Sequence, residues 1–309
     1  MGIQDLYKLI DKYAPDAKTT ISVSDLDGLT IIFDASISVY QLHSSAGDTT
    51  GAAIGMFYRV SGYLRKGIRP VFIFDGAPPE EKADVIAQRC VDRDAGRVCR
   101  VPQEVFNDVR EITELLGVQC VQAPGEGETQ AVAICTRANV DGGVIPWGVA
   151  TEDSDALTFG APRIIRGLTG TAKTVVVIDR AKLLECLGLT SAQFIDLCIL
   201  LGCDYSPRHP GMGPASALKT IRKYGSIDAA IAAGVLKSDS AGREGAPVFT
   251  PGAARTVFTN PLVDRDIAAI PPRPLLAADI AAIKQWLSAR DAQRACRAVD
   301  TLAKHYGVI

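Results

Sequence analysis

The sequence predicts an α/β fold: a central, mostly parallel twisted sheet with helices on both faces. Apolar runs alternate with amphipathic stretches along most of the chain, the pattern left by repeated strand–helix–strand units. Four of those runs end in carboxylates: "LTIIFD" at Asp34, "RPVFIFDG" at Asp75, "GVQCVQAPGEGE" at Glu126 and Glu128, and "GVATEDSD" at Asp153 and Asp155. Open α/β sheets build their sites at the C-terminal ends of strands, so this placement supports the same class. With 309 residues, 47% hydrophobic and 22% charged, the chain has enough apolar material for one large domain or two smaller ones.

Taken in order, "MGIQDLYKLIDKY" carries Asp5 and Asp11 and lacks the unbroken apolar core of a secretion signal, and Leu6 spoils an acylation pattern. No apolar run approaches membrane-spanning length, and the eight cysteines form no C-x-x-C pair. They read as small core side chains of a soluble, intracellular protein in a reducing compartment. After the strands ending at Asp34 and Asp75 comes "PPEEKADVIAQR", where Lys82 and Arg89 are two helical turns apart and share a face if the segment is helical.

Glu126 and Glu128 project together if "PGEGE" stays non-helical, which Gly125 and Gly127 permit. Asp153 and Asp155, two apart in extended backbone, project the same way. "RIIRGL" and "TVVVIDR" continue the sheet. In "LTSAQFIDLCILLGCDYS" a capping box of Thr190 and Gln193 starts a helix that stops at Gly202, just before Asp204. "PGMGPASALKTIRKYGSI" reads as a hairpin into a helix, with Gly211 and Gly213 in the turn and Pro214 at the first helical position.

Residues 237–254 turn to Ser, Gly, Ala and Pro, the composition of a loop, and 277–306 has amphipathic helical patterning. The expected organisation is a core over 1–235, with motif regions at 1–95 and 103–235 and a helix–hairpin–helix element at about 190–230. A loop and a helical extension over 236–309 pack on that core.

Asp34, Asp75, Glu126, Glu128, Asp153, Asp155 and Asp204 are the candidate ligands. Each alone is explained as a cap for the following helix. Together on one rim they repel one another unless cations intervene, and all-oxygen ligands select hard ions such as Mg²⁺ or Mn²⁺. Two such ions serve phosphodiester hydrolysis, with Lys82 and Arg89 as cations for the phosphate. The net charge of −2 hides two surfaces: setting these seven acids aside leaves 28 against 33 Lys and Arg. A nucleic-acid partner is therefore compatible with the near-neutral sum.

These residues resemble the structure-specific 5′ nucleases, and within them the flap endonucleases. "MGIQDLYKLI", "IIFDASISVYQ", "GMFYR", "FIFDGAPP", "GEGETQA", "ATEDSDALTFG" and "FIDLCILLGCDYSPRHPGMGP" follow the family's motifs in order, over about residues 1–230. The resemblance implies a PIN-like 5′-nuclease fold in which the seven acids hold two Mg²⁺ ions and Lys82 and Arg89 reach the scissile phosphate. Tyr40 is implied to stack on a base near the cut, and Gly2 to lie close to the DNA. Arg59 is implied to contact a phosphate near the duplex junction. The Gly211/Gly213 hairpin is implied to be a helix-two-turn-helix that grips the uncut strand around a K⁺ ion, with Lys219, Arg222 and Lys223 following on its helix.

The implied activity is that of a monomeric flap endonuclease and 5′ exonuclease acting on branched DNA (5′ flaps, nicked or gapped duplex) at the site of replication and repair. The stretch from Arg89 to Glu126, broken by Gly96 and Pro102, is shorter than the family's basic arch, and "QLHSSAGDTTG" is short where relatives hold a 3′ flap. "AKHYGVI" carries no sliding-clamp motif. Rival readings are a 5′ nuclease of another branch (mismatch-repair exonuclease, junction resolvase or bubble nuclease) and a non-catalytic DNA-binding protein. A haloacid-type phosphatase is excluded because neither Asp34 nor Asp75 begins a D-x-D motif.

Overall fold

The computed structural model describes residues 2–46, 48–77, 101–137, 143–237 and 248–308. Seven strands form one sheet in the order β1-β7-β6-β5-β2-β3-β4. These are β1 (Lys18–Ser22), β2 (Thr30–Asp34), β3 (Arg69–Phe74), β4 (Gln119–Gln122), β5 (Gly148–Ala150), β6 (Arg163–Arg166) and β7 (Thr174–Asp179). β6, β5, β2, β3 and β4 run parallel, while β7 and β1 are antiparallel to their neighbours. β1 was not foreseen from the sequence. Its "KTTIS" has no buried residue, so it carries no apolar signal to read.

Alternation along each strand sorts side chains to two cores. Ile32, Val71, Ile73 and Ile164 enter one, and Ile31, Phe33, Phe72, Phe74 and Ile165 enter the other. The first face is covered by α1 (Leu6–Tyr13), α5 (Gly127–Thr136), α6 (Asp155–Phe159), α7 (Arg180–Leu187), α8 (Ser191–Leu201), α9 (Pro214–Tyr224), α10 (Ile227–Ala232) and α11 (Pro251–Thr259). The second is covered by α2 (Ala35–Ala46), α3 (Thr49–Arg65), α4 (Gln103–Leu115), α12 (Ala277–Ser288) and α13 (Gln293–His305).

Leaving β2, the chain moves outward through β3 and β4, then returns to the other side of β2 as β5. β2 and β5 thus flank the topological switch, where connections diverge to opposite faces and leave a crevice above the strand ends. The segment expected to be a loop over 237–254 is helical from Pro251, because Pro251 supplies a first-turn start for α11. The rest of that segment, 238–247, lies outside the described residues.

Candidate active site

β2 delivers Asp34 to the crevice, where its Oδ1 accepts from the Ile37 amide at 3.1 Å and caps α2. β3 ends one residue before Asp75, whose Oδ1 accepts from the Gly127 amide at 2.7 Å. A Cβ at position 127 would stand 2.9 Å from that same oxygen, so a larger residue there would push the Asp75 carboxylate aside.

The "PGEGE" segment does not stay non-helical. Glu126 is the N-cap of α5 and Glu128 lies in its first turn, where the positive end of the helix dipole favours carboxylates. Extended backbone does not carry Asp153 and Asp155 either, for Ser154 is αR and Asp155 opens α6. They converge because the turn folds back, the Asp155 amide donating to Asp153 Oδ1 at 3.1 Å. Glu128 Oε1 accepts from the Ala156 amide at 3.1 Å, tying α5 to α6. As a result, carboxylate oxygens of Glu128, Asp153 and Asp155 lie within 4.8 Å of one another.

Asp34 and Asp75 couple to this group by charge, and Glu126 is held beside it by a tyrosine. Burial and then the charge of Asp75 push the Asp34 carboxyl up to about 7, with a smaller push from Asp153. Tyr205, beside Asp204, donates its hydroxyl to Glu126 Oε2. Its ring packs edge-on to Phe159 and Phe258, and burial together with the Glu126 charge raises its phenol above the ordinary range. Tyr205 was missed by the sequence reading, although it neighbours a singled-out acid.

The N-terminal segment stitches the Asp153 and Asp204 loops together. The Ile3 amide donates to Ser154 Oγ at 2.9 Å and the Gln4 amide to the Gly202 carbonyl at 3.0 Å. Gly2 lies directly against Asp153. Glu152, the third acid of "TEDSD", faces away: its carboxylate takes Arg166 Nε at 3.0 Å and the Gly167 amide at 2.6 Å.

Tyr40 stands on α2, 45% exposed, edge-on to Phe106 at 6.1 Å. Arg59 of α3 donates to Gln41 Oε1 at 3.3 Å and shares a cavity with Asp34, Ile37 and Thr151. Gly211 and Gly213 sit in the hairpin before α9, with open space around both. Lys219 and Lys223 are exposed on α9, whereas Arg222 Nε is engaged by the Leu187 carbonyl at 2.9 Å. Lys82 and Arg89 lie outside the described residues.

The donor set fits a hard cation: all ligands are oxygen, three come within 4.8 Å, and a fourth carboxyl is pushed toward its neutral form by burial and by the charge of Asp75. Family models for the XPG N-terminal domain and the XPG I-region match residues 1–95 and 117–204. Flap endonuclease 1-B of Oryza sativa subsp. japonica is 36% identical over 304 residues, covering 86% of this chain and 71% of its own. The chain belongs to the flap endonuclease family. Another member, flap endonuclease 1 of Chlamydomonas reinhardtii, is 36% identical over 324 residues, with 93% of this chain and 79% of the relative covered.

Among solved structures, flap endonuclease-1 from Methanococcus jannaschii superposes with a TM-score of 0.68 at 25% identity, covering 94% of this chain and 96% of that one. The catalytic core of Rad2 in complex with DNA substrate gives 0.75 at 23% identity, covering 99% and 100%, a likeness of fold. The fold expected from the sequence, an α/β 5′-nuclease architecture, is the one observed. No single described helix is long and apolar enough to cross a membrane.

Proposed function

We propose that the protein is a Mg²⁺-dependent, structure-specific endonuclease that cuts 5′ flaps where single strand meets duplex, with accompanying 5′–3′ exonuclease action. It acts as a monomer on branched DNA in replication and repair. The observation that carries this reading is the convergence of Glu128, Asp153 and Asp155 on a rim shared with Asp34 and Asp75, in a chain of this family.

In this reading Asp34, Asp75, Glu126, Glu128, Asp153, Asp155 and Asp204 hold two Mg²⁺ ions, which Mn²⁺ can replace. When bound, the ions supply Lewis-acid polarisation of the phosphate and a lowered pKa for the attacking water. The chain's own residues do the rest. Gly127 and Ala156 amides fix the orientation of Asp75 and Glu128, and Tyr205 fixes Glu126. Lys82 and Arg89 offset charge on the scissile phosphate.

Tyr40, exposed on the helix that follows Asp34, offers a base a stacking surface without reading its identity. Gly2 brings the N-terminal backbone close to the DNA. Arg59 takes a phosphate near the junction. The Gly211/Gly213 hairpin, with K⁺ on its carbonyls and Lys219, Arg222 and Lys223 behind it, holds the uncut strand.

The test is cleavage of an end-labelled 5′-flap duplex in Mg²⁺, alongside nicked, bubble and four-way substrates. Fastest cutting of the flap, and loss of cutting in Asp153→Ala, is the expected result. Preference for the bubble or four-way junction, or equal cleavage by the variant, overturns the reading.

A further inference from the structure

On the Asp75 side of the rim, a cavity of about 270 Å³ is lined by Ser36, Phe74, Asp75, Phe106, Arg110 and Gln122. Arg110 is fixed within it from two directions. Its guanidinium carbon lies 4.2 Å from the centre of the Phe74 ring, and one terminal nitrogen donates to Gln122 Oε1 at 2.6 Å. Gln122 is itself committed, since its Nε2 donates to the Asp75 carbonyl at 2.6 Å. Arg110, Gln122 and the main chain of a proposed ligand therefore form one hydrogen-bonded unit.

Among the described residues no carboxylate lies within ion-pair distance of Arg110. A guanidinium carries five donors, and the Gln122 bond uses one. An amide oxygen does not neutralise its charge. Such a cation, held in place beside a cavity that opens on an acidic rim, suits an anion arriving from solution. Phe106, one helical turn before Arg110 on α4, also lines the cavity, and the exposed Tyr40 is set edge-on against it. An aromatic pair beside a fixed cation suits a nucleotide, with its base against the rings and its phosphate on the guanidinium.

We infer that this cavity is a second phosphate subsite: Arg110 binds a backbone phosphate of the cut strand other than the scissile one. The inference rests on the flap-endonuclease reading above and adds to it a substrate-binding residue on α4. A purely structural Arg110 would instead serve only to pack Phe74 and orient Gln122. The two roles separate in their response to salt and to the charge of individual phosphates.

Binding of the full-length protein to a 5′-flap duplex is measured in EDTA across a salt series, for the wild type, Arg110→Gln and Arg110→Lys. Arg110→Gln is expected to bind about tenfold more weakly near 0.1 M salt, with the slope of log K against log salt lowered by about 0.9, the release of counterions from one phosphate. Arg110→Lys keeps the slope. Methylphosphonates placed singly along the cut strand then locate the contact: one non-scissile position weakens the wild type and leaves Arg110→Gln unchanged.

An unaltered slope in Arg110→Gln, or methylphosphonate penalties equal in both proteins at every position, overturns the inference. If Arg110→Gln fails to fold, the Arg110→Lys penalties decide, because a lost fork at one phosphate lowers the penalty there alone. Wild-type protein that cuts the flap while Arg110→Gln binds normally defeats this subsite only. Wild-type protein that neither binds nor cuts the flap defeats the functional reading itself.

Discussion

Gly2 has a φ of +85°, and a Cβ there would overlap Asp153 Oδ1 and approach Ser154 Oγ to 2.6 Å. Both the backbone and the space exclude a larger residue. Gly2→Val should therefore displace Asp153, slowing cleavage by about tenfold or more, the equivalent of about 1.4 kcal/mol, and raising the Mg²⁺ needed for half-maximal rate. Full activity at wild-type Mg²⁺ would show that the N-terminus is not part of the site. Asp34 gives a prediction in pH. Its folded-state pKa of about 7 lies above the ordinary value of 3.8, so the folded chain holds the proton that the unfolded chain releases. Its stabilising contribution is complete below about pH 3.8 and is lost as pH rises toward 7 in metal-free protein. Protons and Mg²⁺ compete for this carboxyl, so metal affinity should climb up to about pH 7 and then level off. Asp34→Asn should flatten that part of the profile, which calorimetric Mg²⁺ titration at several pH values would reveal. Much of this scale was legible in the sequence, because acids after apolar runs announce themselves. Glu152 was separable from Asp153 and Asp155 only by resemblance, since its Arg166 partner lies fourteen residues away on another strand. Tyr205 stayed hidden because a lone tyrosine carries no sign of which carboxylate it will meet.

At the scale of elements, local signals read well where the chemistry is local. The Thr190/Gln193 capping box forms with bonds of 3.3 and 2.9 Å and starts α8, and Pro214 opens α9 as expected. The starts of α5 and α6 misread because tertiary contacts decide them. Gly127 is helical where its amide meets Asp75, and Asp155 begins a turn closed by Asp153. A third long-range device anchors the hairpin element. Asp196 of α8, 4% exposed, accepts from Arg255 Nε of α11 at 2.8 Å and from the Ile227 amide of α10 at 2.9 Å. Arg255→Ala would leave a buried carboxylate with only the amide. The expected loss is about 2–3 kcal/mol, below the cost for a wholly buried pair because Arg255 is partly exposed. Urea unfolding measures it directly, and a change under about 0.5 kcal/mol, typical of surface sites, would mean that the pair contributes nothing to the fold. The same variant should cut flap DNA at near-normal rates at low temperature, since the ion pairs of Arg255 are with Asp196 and Asp228.

Across the whole molecule, the sheet order explains how acids far apart in sequence, Asp34, Asp75, Glu128, Asp153 and Asp155, come to the same end of the sheet. Asp34 and the Asp153–Asp155 pair follow the two strands that flank the switch, Asp75 follows the next strand out, and the Glu pair starts the helix after β4. Asp204 comes from outside the sheet, on the loop after α8, and its neighbour Tyr205 donates to Glu126. The alternation of strands and helices made this layout readable, while the antiparallel β1–β7 margin, with no buried residue in β1, did not show in the pattern. A rim assembled from separate segments has a thermodynamic consequence. Each carboxylate opposes the approach of the next, and an ion bound by several of them stabilises the folded chain alone, because the unfolded chain cannot gather them. Mg²⁺ at about 100 times its Kd should add about 2.7 kcal/mol, a rise of about 4 °C in Tm for a chain of this size. The rise should grow from pH 5 to pH 7 as Asp34 gives up its proton, and it should shrink sharply in Asp153→Ala, which removes a carboxylate from the closest cluster. K⁺ at equal ionic strength should give little of this shift at the rim. A Tm indifferent to Mg²⁺ at pH 8, by scanning calorimetry, would mean that the seven acids do not act as one metal site.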